Sequence, residues 1–124
     1  MVRLSAETII AIHSELIAES GGLDGVRDNN LLDSSVNSPY HTFGGEYLYP
    51  TLQAMGAHLG YSLIKNHPFL DGNKRIGTLV MLVFLELNGL PISCTDEELA
   101  SLGWGLADGS IGETELIEWI IEHS

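Results

Sequence analysis

The sequence has little cysteine and few cationic residues, and both shortages limit what the chain can be. It contains a single cysteine, Cys94, so no disulfide can form within the chain, in agreement with a reducing compartment. Five Lys and Arg stand against seventeen Asp and Glu, which gives a formal net charge of −12. Because this charge repels the phosphate backbone of DNA and RNA, we expect no nucleic-acid partner.

A long hydrophobic run is also missing. The longest one, residues 77–85, is too short to cross a bilayer and is followed by Glu86. Near the start of the chain, Glu7 interrupts the sequence before an apolar stretch of signal-peptide length can form. We therefore expect a cytoplasmic protein that has no membrane partner.

Alternating apolar and polar residues, the pattern typical of a half-buried strand, never extend far enough for a core strand. Helix signals are frequent instead. With 124 residues, 44% of them hydrophobic, the chain is long enough to bury a core of its own. No repeat or low-complexity linker divides it, so we predict a single all-α domain over residues 1–124.

Signals for helix ends divide the first half of the chain into segments. A first helix is predicted between Ser5, a possible N-cap, and the pair Gly21-Gly22. A short second helix is predicted around residues 31–36. The third has Pro50 in its first turn and runs to about Asn66. Between the second and third helices, paired aromatics around two glycines indicate a small hairpin-like flap at residues 40–48.

The predicted central helix, residues 73–87, is apolar nearly all round from Ile76 to Leu87 and should be buried on most sides. Gly56 and Gly60 leave one face of the preceding helix free for a close neighbour. These features predict a compact helical bundle around a buried central helix. Two more helices are indicated by a capping-box pair, Thr95 and Glu98, and by apolar residues at 116–121.

One stretch, NHPFLDGNKRIG at residues 66–77, is unusual for so acidic a chain. It places Lys74 and Arg75, two of the five cations, at the N-terminus of the predicted central helix. Helix N-termini expose unpaired backbone N–H groups and carry about half a positive charge. Gly72 permits the close approach of a ligand and Asn73 adds a donor, so the stretch predicts a site for the phosphates of a nucleotide.

Two further side chains complete the chemistry of this stretch. Asp71 alone would repel a phosphate, but Mg²⁺ is commonly held by one or two carboxylates together with phosphate oxygens. His67 titrates near neutrality and is suited to take a proton from an incoming hydroxyl. Base, metal ligand and phosphate cradle together indicate transfer of a phosphorus-centred group to a hydroxyl. Phe69, between them, is expected to anchor the loop in the core.

A purely structural interpretation of the same stretch is also open. Pro68 would end one helix, Asp71 would cap the next, and the two cations would be solvated. Cations at a helix N-terminus oppose the helix dipole, which favours the functional interpretation. Lys65, in the preceding helix, would either reach the same anion or remain a solvated cation.

The motif HPFLDGNKR, residues 67–75, resembles that of the Fic/Doc family, H-P-F-x-D/E-G-N-G-R. The neighbouring sequences GGLDGVRDNN and FGGEYLYP look like those of the Doc-type toxins of this family, and the resemblance covers nearly the whole chain. Two positions depart from the general Fic pattern. Lys74 replaces a glycine, and Thr78 stands where many members have a second arginine; both departures are shared with the Doc type.

The resemblance implies an activity and partners. Fic enzymes typically transfer AMP from ATP to a protein hydroxyl, whereas Doc-type proteins transfer the terminal phosphate to elongation factor Tu and stop translation. It thus implies a kinase-type toxin that uses ATP and Mg²⁺. An antitoxin protein acting in trans is expected, because the chain shows no inhibitory Ser/Thr-x-x-x-Glu-Gly/Asn motif. AMP transfer and a catalytically silent binding module are the alternatives.

The family motif also implies a role for each matching residue. His67 would be the base, Asp71 the Mg²⁺ ligand, and residues 72–75 the group that holds the phosphates. The flap that docks the target protein would comprise Phe43, Gly44, Gly45, Glu46 and Tyr47. Its aromatic residues, together with Tyr49, can equally belong to the core, and we expect at least one to do so. Four histidines have no partner at metal-ligand spacing and are expected to be surface or core residues: His13, His41, His58 and His123. The pair Arg27-Asp28 is expected to form a local ion pair or a helix cap and not to be catalytic.

Overall fold

In a computed structural model covering residues 1–124, six α-helices follow one another along the chain and a β-hairpin lies between the second and the third. The all-α prediction is therefore confirmed. None of the helices combines the length and the apolar character needed to cross a membrane. The helices are α1 (Ala6–Ser20), α2 (Asn29–Asn37), α3 (Leu52–Asn66), α4 (Asn73–Leu87), α5 (Asp96–Asp108) and α6 (Glu113–His123); a 3₁₀ turn spans Ser38–Tyr40, and β1 (Thr42–Phe43) pairs with β2 (Glu46–Tyr47).

Side-chain caps fix the start of several helices. Ser5 accepts a backbone N–H of the first turn of α1 at 3.1 Å, as predicted. Thr95 and Glu98 form the predicted capping box of α5, in which each side chain accepts the backbone N–H of the other residue. Thr51 caps α3 in the same way as Ser5 caps α1. Pro50 consequently lies before the helix, and its predicted place in the first turn was wrong.

Helices α3 and α4 pack backbone against backbone. A Cβ atom on Gly60 would lie 3.0 Å from the carbonyl oxygen of Gly77, and one on Gly77 would lie 2.9 Å from that of Gly60. Further along, Gly56 faces Leu85, so the two helices run antiparallel. The prediction that Gly56 and Gly60 make room for a close neighbour is confirmed, and the neighbour is α4.

The hydrophobic core is built around α4. Ile76, Val80 and Phe84, spaced four residues apart on one face, are fully buried. Helices α1, α3 and α5 pack against α4, and every helix contributes to the same cluster of buried side chains. The predicted burial of α4 holds as far as Leu85, whereas Leu87 in the last turn is half exposed.

The predicted flap is a short hairpin at the surface. Thr42 pairs with Tyr47 and Phe43 with Glu46. Gly44 and Gly45 form the turn with φ values of 61° and 83°, a conformation that glycine adopts without strain. Of the flap aromatics, Phe43 is 82% exposed and Tyr47 is 42% exposed. Tyr49 packs against the core, as expected for at least one aromatic residue of this segment.

Replacing Gly77 with Ala should destabilise the protein by about 2 kcal/mol or more, because overpacking a close interface forces backbone shifts. The new Cβ would lie 2.5 Å from Ile64 Cγ1, and α3 would have to move. Urea unfolding measures the effect. Glu118→Ala on the exposed surface of α6 is the control, with an expected change within about 0.5 kcal/mol. A Gly77→Ala protein as stable as the control would show that the α3–α4 contact does not hold the fold.

Candidate active site

The loop between α3 and α4, residues 67–72, is attached to the core by Phe69. The ring is 1% exposed and belongs to the hydrophobic core, as predicted. The imidazole of His13 stacks on it, with ring centroids 3.9 Å apart. Backbone hydrogen bonds join residues 25–28 to residues 68–70. The segment that follows α1 therefore runs beside the loop and fixes its path.

His67, the predicted base, stands at the end of α3 in a left-handed conformation, with φ 47° and ψ 57°. It is the one non-glycine residue with a positive φ, which costs about 1 kcal/mol or more. Arg27 supports it: Nε donates to the carbonyl oxygen of His67 at 2.6 Å, and Nη2 donates to that of Asn66 at 3.0 Å. The guanidinium also offsets the negative end of the α3 dipole. The side chain of His67 is left exposed.

Asn73, the first residue of α4, uses its side chain to close the loop. Its Oδ1 accepts the Phe69 N–H at 3.0 Å, and its Nδ2 donates to the Phe69 carbonyl oxygen at 3.1 Å. Asn73 is buried, so its amide faces the loop and not a ligand. The donor that Asn73 offers to a phosphate is its backbone N–H.

Backbone N–H groups of residues 73–75 form an open anion cradle. The first hydrogen bond of α4 runs from the Ile76 N–H to the Gly72 carbonyl oxygen at 2.9 Å, so the three N–H groups before it have no acceptor in the helix. Gly72 has a φ of 74°, and a Cβ there would lie 3.1 Å from Ile17 Cδ1. The left-handed conformation therefore favours glycine, and a Cβ atom would also crowd the end of the Ile17 side chain. The positive end of the α4 dipole is open to a ligand.

Asp71, the predicted metal ligand, is exposed and held by two backbone donors. Its Oδ2 accepts the Leu23 N–H at 3.2 Å and its Oδ1 accepts the Gly72 N–H at 2.8 Å. These hydrogen bonds, with a smaller contribution from Arg75, hold the pKa of the Asp71 carboxyl below its ordinary value. The group is therefore ionised at neutral pH.

The donor set at Asp71 fits Mg²⁺ held mainly by a nucleotide. Each carboxylate oxygen accepts one N–H group and keeps a lone pair for a cation. Mg²⁺ commonly takes one or two carboxylates, with phosphate oxygens and water as its remaining ligands. No group of three or more His, Cys, Asp or Glu side chains is present that would form an all-protein cage. Asp71 would thus hold the ion together with the phosphates.

The two cations at the start of α4 point in different directions. Arg75 Nη1 donates to Ser20 Oγ, and Nη2 lies 3.5 Å from the Gly21 carbonyl oxygen, so the guanidinium is held at the end of α1. Lys74 turns toward α5, where its Nζ lies over the ring of Trp104. One positive charge therefore stands on each side of the cradle.

An open pocket of about 440 Å³ is lined by most of the site residues predicted from the sequence. Lys65 is not among its residues; its Nζ lies 5.8 Å from the centroid of the Tyr61 ring. The flap residues do not line the pocket either. The pocket is lined by His67, Leu70, Asp71, Gly72, Asn73, Lys74, Arg75 and Ala107.

His13 supports the site from inside the core, a role that sequence analysis did not identify. It is fully buried, its Nε2 lies 2.7 Å from the carbonyl oxygen of Asp71, and its Nδ1 lies 3.5 Å from Asp24 Oδ1. Because a carbonyl oxygen only accepts, Nε2 carries the proton in this contact. The position of His13 between Ile9 and Ile17 on the buried face of α1 was the available signal.

Arg27, which was expected to form a local ion pair or a helix cap, binds the last carbonyl groups of α3 and so caps the C-terminal end of that helix. Its neighbour Asp28 does act as the N-cap of α2 and accepts the Leu31 N–H at 3.0 Å. The signal for Arg27 was indirect. It is one of only five cations and is placed between two turn-like segments.

Comparison with known proteins agrees with this site. The sequence pattern that defines the Fic/DOC family matches residues 3–85, a range that contains the whole pocket-forming loop and α1. The chain therefore belongs to the Fic/DOC family, and the resemblance found in its motif is confirmed.

Two relatives place the chain more closely within the family. It is 41% identical to "Toxin Doc" of Mycolicibacterium smegmatis (strain ATCC 700084 / mc(2)155) over 73 residues, which are 59% of this chain and 56% of that protein. It is 28% identical to "Protein kinase doc" of Escherichia phage P1 over 118 residues, 95% of this chain and 92% of that protein. The chain is thus similar to Doc proteins, and over nearly its full length in the second case.

Replacing Arg27 with Ala should loosen the loop of His67 while leaving the fold intact. We expect faster amide hydrogen exchange at Phe69 and Leu70 and a loss of about 1 kcal/mol in the free energy of unfolding, because one side chain that binds two carbonyl groups is removed. The matched control is Arg3→Ala, which removes the same charge beside Tyr40. Equal exchange at Leu70 in both variants would show that Arg27 does not hold the loop.

Proposed function

We propose that the protein is a Doc-type toxin that transfers the terminal phosphate of ATP to a Thr or Ser hydroxyl of elongation factor Tu and so stops translation. The observation that supports this most is the single pocket in which His67, ionised Asp71 and the open N–H groups of α4 meet. The names of the relatives, a toxin and a protein kinase, agree with it. The choice of elongation factor Tu rests on the Doc-type resemblance.

His67 acts in this proposal as the general base. Its imidazole takes the proton of the target hydroxyl while the oxygen attacks the terminal phosphorus. The bond between that phosphorus and the bridging oxygen breaks, and ADP leaves. The exposed ring can meet a protein substrate, and the Arg27 contacts to the carbonyl groups hold the backbone that carries it.

The opposite side of the pocket holds the phosphates. The backbone N–H groups of residues 73–75 face the charge that develops on the transferred group, and Arg75 adds a fixed cation at the end of α1. Asp71 is ionised and exposed, as a ligand of Mg²⁺ must be. When bound, Mg²⁺ supplies positive charge between the phosphate oxygens.

The hairpin is the proposed docking surface for the target. Phe43, at the tip of β1, is 82% exposed, which leaves its ring free to contact another protein. The flanking strands are only two residues long, and their outer edges have no neighbouring strand. An extended segment of the target can pair with such an edge by backbone hydrogen bonds.

Incubation of the protein with elongation factor Tu, ATP and Mg²⁺ should add the mass of one phosphate to the target. Intact-mass spectrometry followed by peptide mapping measures the gain and finds the modified residue. His67→Ala should lower the rate at least about 100-fold and leave nucleotide binding nearly unchanged, because the base acts on the hydroxyl. Asp71→Ala and removal of Mg²⁺ with a chelator should each abolish transfer.

The same measurement separates the alternatives. A gain of one AMP would show the Fic-type reaction, and no gain with retained nucleotide binding would show a silent module. If His67→Ala lost transfer and nucleotide binding equally, His67 would be a structural residue and not the base.

AMP transfer is the second candidate, and one observation favours it. The side chain of Lys74, which replaces the family's glycine, is turned toward α5 and leaves the backbone N–H groups of the cradle bare, as a glycine would. Against it, Thr78 replaces the second arginine of many Fic enzymes. Its hydroxyl lies 3.1 Å from the carbonyl oxygens of Lys74 and Arg75 and brings no charge to the phosphates.

An antitoxin in trans completes the proposal. A groove of about 730 Å³ runs between α1, α4 and α5 and has an apolar floor that includes Leu16, Leu79 and Leu99. Lys74 and Arg75 stand where this groove meets the pocket, since both residues line the two cavities. An amphipathic helix of the antitoxin that carries a carboxylate would fill the groove and occupy the cations.

Expression of the protein alone should stop growth, and co-expression of the small open reading frame adjacent to its gene should restore it. Leu99→Asp in the groove should keep the protein toxic while preventing rescue, because a charge is placed against the apolar face of the antitoxin. Ile121→Asp, at an exposed position of α6 outside the groove, the pocket and the hairpin, is the control and should still be rescued. Growth that is unaffected by the wild-type protein alone would contradict the need for an antitoxin.

A further inference from the structure

A slot on α5 holds the side chain of Lys74. Gly103 forms its floor, because a Cβ atom on this glycine would lie 2.9 Å from Lys74 Cγ and 3.4 Å from its Cδ. Trp104 closes the slot, with Lys74 Nζ 3.0 Å from the centroid of its ring. The aliphatic part of the lysine thus packs on a bare helix surface while its ammonium rests on a π face.

This slot lies at the junction between the pocket and the groove. Lys74 lines both cavities, whereas Gly103 and Trp104 line only the groove. The Lys74 side chain therefore lies on the boundary between the pocket and the groove, with its ammonium over Trp104. A nucleotide whose phosphates lie in the pocket therefore has the Lys74 side chain beside it.

We propose that Gly103 and Trp104 are positioning residues that hold the Lys74 ammonium beside the cradle, where it binds a phosphate of ATP adjacent to the one held by the N–H groups. The slot thereby fixes the direction in which the bound phosphate chain extends from the cradle. This inference rests on the proposed function, because it takes ATP as the ligand.

Exposure of Trp104 supports this role. Trp104 is 64% exposed, and the Lys74 ammonium lies over its ring. A free lysine side chain samples many rotamers, and a ligand must stop that motion on binding. If the ammonium is already held in place before the nucleotide binds, most of the conformational entropy that the lysine would lose on binding has been lost beforehand.

Affinity for Mg²⁺-ATP and for inorganic tripolyphosphate with Mg²⁺, measured by titration calorimetry, tests the slot. Trp104→Leu should weaken both about fivefold, the loss expected for one exposed cation–π contact, and Trp104→Phe should restore most of the affinity. Gly103→Ala should weaken both by a similar factor, because its Cβ displaces the lysine. Alanine favours a helix over glycine, so this loss would come without a loss of stability. Ser101→Ala, an exposed position of α5, is the matched control with unchanged affinity.

The effect should disappear when the lysine is absent. In a Lys74→Met background, Trp104→Leu and Gly103→Ala should cause no further loss of affinity, since both act through the ammonium. An equal loss in that background would overturn the proposal and place Trp104 in direct contact with the nucleotide or in the folding of α5.

Fluorescence gives a readout that does not depend on transfer. The chain has two tryptophans, so Trp119→Phe leaves Trp104 as the single indole. Addition of tripolyphosphate should change its emission as the ammonium engages the anion, and the change should vanish in Lys74→Met. An unchanged response in Lys74→Met would overturn the inference.

The outcomes for the slot and for the proposed function are separable. The wild-type protein could modify no target while the affinity losses still depend on Lys74 and the emission still changes. In that case the slot proposal stands and the transfer proposal fails. If Trp104→Leu leaves both affinities unchanged and weakens only antitoxin binding, Trp104 belongs to the groove alone and the slot proposal fails.

Discussion

The backbone contact between α3 and α4 at Gly60 and Gly77 is the constraint on which the rest of the structure depends. Because neither residue has a side chain, the two helices meet at a distance that no other pair of residues would allow. That contact fixes the end of α3 relative to the start of α4. Only six residues join them, so the connecting loop must turn sharply, with His67 left-handed at one end and Gly72 left-handed at the other.

The contiguous motif supplies the chemical groups, and a distant segment supplies their geometry. Residues 67–75 carry the proposed base, His67, together with the Asp71 carboxylate and the open N–H groups of α4. Residues 13–28 hold His67 and Asp71 in place: His13 binds the carbonyl oxygen of Asp71, the backbone N–H of Leu23 donates to the Asp71 carboxylate, and Arg27 binds the carbonyl oxygen of His67. The motif alone would be a flexible loop with the right composition. The geometry of the motif therefore depends on residues that take no part in the proposed reaction.

Sequence reasoning succeeded where the signal is local. Caps such as Ser5 and the pair Thr95–Glu98 act within one turn, so their spacing predicts helix ends directly. The motif residues that meet in the pocket are consecutive, and the helix N-terminus orients them. The anchoring of Phe69 followed from a large aromatic residue placed between the two polar residues His67 and Asp71 of a short loop.

The failures concern side chains whose partners lie far away in the sequence. Arg27 binds a carbonyl group 40 residues away, and a contact of this kind leaves no period or spacing to detect. The same reason applies to the direction of Lys74, which is decided by a tryptophan 30 positions later on another helix. Asn73 shows a different limit. Its amide can face a ligand or its own loop, and only the path of the loop decides between them.

The long separation of these contacts also bears on how the protein becomes active. His13 and Asp71 are 58 residues apart, and loops of this length close slowly and late compared with the formation of single helices. A chain that has formed its helices but has not docked the segment after α1 carries every motif residue and still lacks the site. Under the proposed function, toxicity belongs to the finished tertiary structure, and a newly made chain would be harmless until residues 13–28 had docked against the loop of His67.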